Sequence, residues 1–250
     1  MLPFKLIYHP EYDLDLGSHV FPSQKFRMIH DALLAEGIAE ESDFIQPEMA
    51  TDEDVLRVHT AAWVQKLKAD SLTLSERMKL EIPVSEVTVR GFWLAAGGSI
   101  LTGRKALEDG FAANLGGGFH HAYPGHGEGF CMLHDFGIAI RALQATGAIR
   151  TAMVVDTDVH QGNGTAAIFE NDASVFTLSI HQENNYPMPK PSSDEDIGLA
   201  DGTRDDEYLD ALDEGLLHAL KKMVPDIIFY VGGADPFRED QLGGLALTLD

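Results

Sequence analysis

The stretch TAMVVDTDVHQGNGT at residues 151–165 decides how this chain reads. Its apolar run at 152–155 has the look of a buried strand, and Asp156, Asp158 and His160 follow at a spacing of two. Side chains at i, i+2 and i+4 of a strand point the same way, so the spacing predicts three metal-capable groups at one strand tip. Asp together with His suits a divalent ion of the zinc type, and a site with two ligands from one tip needs a third from elsewhere in the fold. On its own, an Asp-x-His at a strand end reads as a structural hydrogen bond, so the rest of the chain has to supply the companions.

Short apolar runs at 4–8, 112–115, 152–155, 175–180 and 227–231 are bounded by Gly, Asp or Pro and read as strands buried on both faces. Helical patterns lie between them. Thr51 caps a run through Val55, Leu56, Ala62, Trp63 and Leu67, while Leu209, Leu212, Leu216 and Leu220 recur at helical spacing until Pro225. Strands alternating with helices predict parallel βαβ units in one doubly wound α/β sheet, where ligands bind beyond the carboxyl ends of the strands. Three such ends carry unusual residues: Gly116 to His121, Asp156 to His160, and Gly232 to Asp235. They are expected to converge on one cleft. Residues 184–204, rich in Pro, Ser, Asp and Gly, are expected to form a long surface loop near it. No repeat, low-complexity tract or linker divides the chain, so 1–250 reads as a single domain.

Composition narrows the function. Lys and Arg number 18 against 40 Asp and Glu, a net charge of −22, which repels a phosphate backbone and excludes nucleic acid as the expected ligand. Cationic peptides or polyamines would be steered favourably, although acidity of this size also serves solubility alone. The amino terminus lacks a cationic segment followed by an apolar one, and no run approaches the ~18 apolar residues that span a bilayer. The lone Cys131 excludes an internal disulfide and fits a reducing compartment, so a cytoplasmic protein without membrane contact is expected. A metal must then be held by His and carboxylate.

Asp158, His160 and Asp235 form a plausible ligand set with a coordination position left open, the arrangement of catalytic rather than structural zinc. Hydrolysis also needs groups that move protons, and the adjacent His120 and His121 supply two imidazoles of near-neutral pKa. Asp156 and Asn163 flank the ligands and are the candidates to orient those rings. Without companions, His120 and His121 would read as core histidines and Asn163 as a turn residue between glycines. His126, His134 and His181 read as structural or rim residues, and Cys131 as a small buried hydrophobe.

GGGFHHAYPGHGEGFC at 116–131, VVDTDVHQGNGT at 154–165 and VGGADPF at 231–237 together resemble the histone deacetylase superfamily. Asn163, DDEYL at 205–209 and LGGL at 242–245 make the chain most similar to its class IV-like and bacterial members. The resemblance implies a three-layer α/β/α arginase/deacetylase fold around a mainly parallel sheet, here with the carboxyl-terminal strand missing. It implies zinc (Zn2+) on Asp158, His160 and Asp235, His121 as general base and then acid, and His120, hydrogen-bonded to Asp156, as electrostatic stabiliser. Where many relatives carry a second Asp, Asn163 would leave His121 less basic. A monovalent cation, K+, is implied at Asp156, Ser179 and the carbonyls of Asp158, His160 and Ile180. Gly129, Phe130 and Tyr186 match the lining of a narrow acyl-lysine tunnel.

The implied activity is removal of acetyl or other short acyl groups from N-ε-acyl-lysine of proteins or peptides. Acetylpolyamine deacylation is an alternative that the acidity also suits. In the family a Tyr after a Gly-Gly pair donates to the developing oxyanion, a contribution of roughly 100- to 1000-fold in rate. No Gly-Gly pair here is followed by Tyr, so the chain reads as truncated, and a catalytically weak, metal-containing acyl-lysine binder stays open. Oligomeric state is not legible.

Overall fold

The computed structural model describes residues 1–249, which fall into two compact units, 1–148 and 149–249. In the first, β1 (Lys5–Ile7) runs parallel to both β2 (Phe44–Ile45) and β3 (Ala112–Asn114), giving the order β2-β1-β3. Around this small sheet lie α1 (Lys25–Ala35), α2 (Asp52–Leu56), α3 (Ala61–Lys68), α4 (Leu74–Leu80), α5 (Glu86–Asp109) and α6 (Asp135–Ala145). The long α5 starts at Ser85, whose hydroxyl accepts from the Thr88 amide at 3.1 Å, and stops at Gly110 in a left-handed conformation. It packs on α6, β1 and β3, and buries Phe92, Leu94, Ala95, Ala96 and Ile100. Each large apolar side chain of this kind removed from water contributes about 1.5–3 kcal/mol.

The helical run expected after Thr51 is two helices. Thr51 caps α2 by accepting from the Asp54 amide at 3.1 Å, but the amide of Thr60 donates to Pro124 O at 2.8 Å and its hydroxyl caps α3. A backbone donor committed to another loop cannot continue the α2 ladder, and the chain restarts.

The second unit is a four-stranded, all-parallel sheet of order β6-β5-β4-β7, formed by β4 (Ala152–Asp156), β5 (Val175–Gln182), β6 (Glu195–Leu199) and β7 (Ile227–Val231). With it go α7 (Asn163–Phe169) and α8 (Asp205–Lys222). Met153, Val155, Phe176, Leu178 and Ala219 make one core cluster, joined by half-buried Leu212 and Leu216 of α8. Asp226 sets the register of β4 on β7. Its carboxylate accepts from the amides of Arg150 and Thr151 at 2.7 and 3.0 Å, and its own amide donates to Thr151 Oγ1.

Two expectations are corrected. Residues 184–204 are not all loop, since 195–199 form β6, whose Ile197 and Leu199 turn inward while Asp196 and Gly198 turn outward. With only two apolar side chains in five, the pattern is too polar to stand out against its neighbours. Nor are all strands buried on both faces: β4 and β5 are, but β7 leaves Ile228 and Tyr230 exposed, as expected of the outermost strand of a described sheet. No helix among the described residues is long and apolar enough to cross a membrane.

One buried group in the first unit sets a pH dependence. Burial drives the His59 imidazole down to about 4, against smaller opposing pulls from the carbonyls of Tyr123 and Pro124. The folded protein therefore resists a proton that the unfolded chain accepts near pH 6.5, and stability present above that pH is lost as pH falls toward 4. The full effect is about 3 kcal/mol. Urea unfolding of the metal-free protein between pH 7 and pH 4.5 is expected to show that decline, reduced in His59→Gln; parallel pH profiles for the two proteins would refute it.

Candidate metal centre and histidine pair

β4 ends at Asp156, so strand alternation does not aim Asp158 and His160. Two successive side-chain turns do that work: the amide of Asp158 donates to Asp156 Oδ1 at 3.1 Å, and the amide of His160 donates to Asp158 Oδ1 at 2.9 Å. Because Asp156 pairs with Val231 across β4 and β7, the segment leaving β7 runs beside this turn. There Asp235 Oδ1 accepts from the amide of Val159 at 2.9 Å.

The outcome is a cluster in which Asp158, His160 and Asp235 each present one ligand atom, all within 4.8 Å of one another. His160 Nδ1 lies 3.0 Å from Asp158 Oδ1 and 3.2 Å from Asp235 Oδ2, and the three side chains are 15–20% exposed, open enough for exchange with solvent. Gly233 makes the approach possible. A Cβ there would stand 2.6 Å from Asp235 Oδ1 and 2.8 Å from Asp158 Oδ2, so any larger residue would wedge the carboxylates apart. Burial disfavours the His160 imidazolium, but hydrogen bonds to Asp158 and Asp235 outweigh it and lift the ring to about 9. Asp235 is pushed up by burial and by the charge of Asp158. Two carboxylates and an imidazole crowded in this way offer an oxygen and nitrogen donor set that fits zinc or another divalent ion of similar preference.

The remaining predicted residues of this unit lie at the end of β4, on β5, at the start of α7 and in the segment after β5. Asp156 lies opposite Ser179 in the β4–β5 register, and both are buried with Ile180, which places the side-chain members of the expected monovalent-cation set side by side. Ser179 Oγ is also 3.0 Å from His181 Nδ1, a structural use of His181 in accord with its sequence reading. Asn163 is buried at the start of α7, where its Oδ1 accepts from the Gly164 amide at 3.1 Å. The Tyr186 ring meets that of His160 edge-on, with centroids 6.3 Å apart.

In the first unit, His120 and His121 are both buried, with ring centroids 4.0 Å apart. Gly129 is needed for a reason the sequence did not reveal: a Cβ there would sit 2.6 Å from His121 Cδ2. Gly129 and Phe130 both have positive φ, and this turns the Phe130 ring toward His19 and Phe21, at centroid distances of 5.0 and 6.1 Å. His19 and Phe21 escaped sequence reading because no motif marks them. His134 is structural, as expected, and caps α6 by accepting from the Gly137 amide at 3.1 Å.

A histone deacetylase domain model matches residues 19–250. An uncharacterized protein of Picosynechococcus sp. is 42% identical over 98% of this chain and 82% of its own length. Histone deacetylase 2 of Arabidopsis thaliana is 31% identical over 98% and 67%, and the acetoin utilization protein AcuC of Bacillus subtilis 30% over 98% and 69%. Among solved structures, an HDAC homologue complexed with SAHA is similar at a TM-score of 0.82 and 26% identity, covering 98% of this chain and 72% of that one. The chain belongs to the histone deacetylase family, with its α/β arginase/deacetylase fold.

Since His160 holds a proton at neutral pH, a cation that takes its nitrogen must displace that proton. Calorimetric titration of zinc at pH 7.5 in buffers of different ionisation enthalpy is expected to show release approaching one proton, falling as pH rises past 9. Asp235→Ala should abolish tight binding; stoichiometric zinc in that variant would remove Asp235 from the ligand set.

Proposed function

We propose that this chain is a zinc-dependent amidohydrolase that removes acetyl or short acyl groups from N-ε-acyl-lysine in proteins or peptides. The observation that carries this reading is the approach of Asp158, His160 and Asp235 within ligand distance in a member of a deacetylase family. Bound there, a divalent ion would supply Lewis acidity toward water and an amide carbonyl. The chain's own groups do the rest. His121 takes a proton from the attacking water and returns one to the leaving amine, while His120 stabilises the charge that develops. Asn163, being neutral, leaves His121 readier to give its proton back near pH 7 than an Asp partner would. Asp156, Ser179 and the carbonyls of Asp158, His160 and Ile180 would hold K+. By the family resemblance, Gly129, Phe130 and Tyr186 would accommodate the apolar methylene stem of the substrate.

A second substrate class is favoured by one observation, the net charge of −22, which attracts small polycations as well as lysine-rich peptides. Acetylpolyamines therefore stand as the alternative within the same chemistry. Zinc-loaded protein is expected to turn over a fluorogenic acetyl-lysine peptide, with His121→Ala lowering kcat by about 100-fold or more while zinc stays bound. Retained activity in that variant would reject the assignment. A higher kcat/KM for acetylputrescine than for the peptide would select the polyamine reading. Peptide binding without any turnover by the wild type would leave an acyl-lysine binder.

A further inference from the structure

The first unit contains a buried carboxylate that neither the metal centre nor the proton-transferring pair uses. Asp135, the first residue of α6, is 1% exposed. Its Oδ1 accepts from the amide of Phe119 at 2.8 Å, and its Oδ2 accepts from the amide of Gly118 at 3.2 Å and the hydroxyl of Ser99 at 2.5 Å. These partners all donate. The Ser99 hydroxyl has its hydrogen to give because its oxygen receives the Asn114 amide at 3.1 Å, and Asn114 Oδ1 in turn receives the Tyr12 hydroxyl at 3.0 Å. A directed chain Tyr12, Asn114, Ser99 thus ends on Asp135, which also accepts the amides of Gly118 and Phe119, the two residues ahead of His120 and His121.

The loop is shaped for this contact. Gly117 and Gly118 take φ of +129° and +81°, and a Cβ on Gly117 would meet Asp135 Oδ2 at 2.4 Å. The His120 amide donates to Gly118 O at 3.0 Å, so a rotation of the 118–119 peptides reaches the first histidine directly. On the far side, the His134 amide donates to His59 Nε2 at 3.0 Å, which leaves the proton on His59 Nδ1 to donate to Tyr123 O at 3.1 Å. The pair is therefore gripped by its backbone from both directions. Burying a carboxylate is expensive unless its oxygens are satisfied, and here two of the three donors come from the loop that carries the histidine pair.

We propose that Asp135 is a positioning residue of the His120–His121 pair, fixing both imidazoles through the amides of Gly118 and Phe119, with Ser99, Asn114 and Tyr12 holding its carboxylate in place. The inference rests on the proposed hydrolase only for its effect on rate, because a displacement of about 1 Å in a catalytic group costs on the order of 100-fold. The effect on the imidazoles themselves is independent of any substrate.

The experiment compares wild type with Asp135→Asn, Ser99→Ala and Asp43→Asn. Asp43 is a fitting control because it too is a buried carboxylate that accepts backbone amides, those of Leu2 and Glu40, at 3.0 and 2.9 Å. Imidazole resonances assigned with His120→Gln and His121→Gln are followed against pH, and zinc content, kcat and KM are measured alongside. Asp135→Asn is expected to shift both resonances and their apparent pKa values, with kcat down about 10- to 100-fold and KM within about twofold at unchanged zinc content. Ser99→Ala should do the same to a smaller degree, and Asp43→Asn should leave resonances and kcat as in wild type. Histidine resonances unmoved in Ser99→Ala and in any folded Asp135→Asn, or moved equally by Asp43→Asn, would overturn the proposal. If the wild type hydrolyses no acyl substrate, the hydrolase reading fails while the resonances still decide the role of Asp135.

Discussion

The second unit is organised around a repulsion. Two carboxylates, Asp158 and Asp235, are brought within reach of a single imidazole in a partly buried place, where their like charges are poorly screened. Three features hold them there. Backbone amides of Val159 and His160 fix one oxygen of each, Gly233 removes the side chain that would separate them, and the His160 ring lies between them with its pKa raised by hydrogen bonds to both. The register of β4 on β7, pinned by Asp226, is what brings the two loops level. Without that register the carboxylates would be unremarkable surface acids.

The histidines of the first unit show the opposite use of burial. His59 and His134 sit in surroundings that hold them neutral, and the tautomer of His59 is fixed because one nitrogen accepts an amide while the other faces a carbonyl. They behave as rigid spacers. His120 and His121 lie on the loop those spacers help to hold, as the only adjacent histidine pair in the sequence. The same residue type thus serves as scaffold here and, in the function proposed for the pair, would act as reactive group according to what surrounds it.

Much of this was legible in the sequence because the groups concerned announce themselves by type and spacing. Strands β4, β5 and β7 are apolar runs with sharp ends, and Asp158, His160 and Asp235 follow two of those ends directly. What escaped was work done through the backbone. That Asp158 and His160 are aimed by side-chain turns, that Gly129 makes room for His121, and that Asp135 holds the amides of Gly118 and Phe119 leave no periodic trace, since an acceptor for a main-chain N–H can come from almost any polar residue at almost any separation. β6 was missed for a related reason. Its neighbours supply the apolar contacts, so its own composition had little left to declare.

That polarity of β6 has a further effect. A parallel strand at the margin of a sheet offers a row of vacant main-chain donors and acceptors on which a strand from another molecule can grow. Here the margin carries Glu195, paired with His218 at 2.6 Å, and Asp196, whose two oxygens hold the Ser193 amide and the Gln161 side chain. An incoming strand would have to strip water from those acids without offering anything better. Charged side chains of this kind on the outer strand weigh against strand addition from that side.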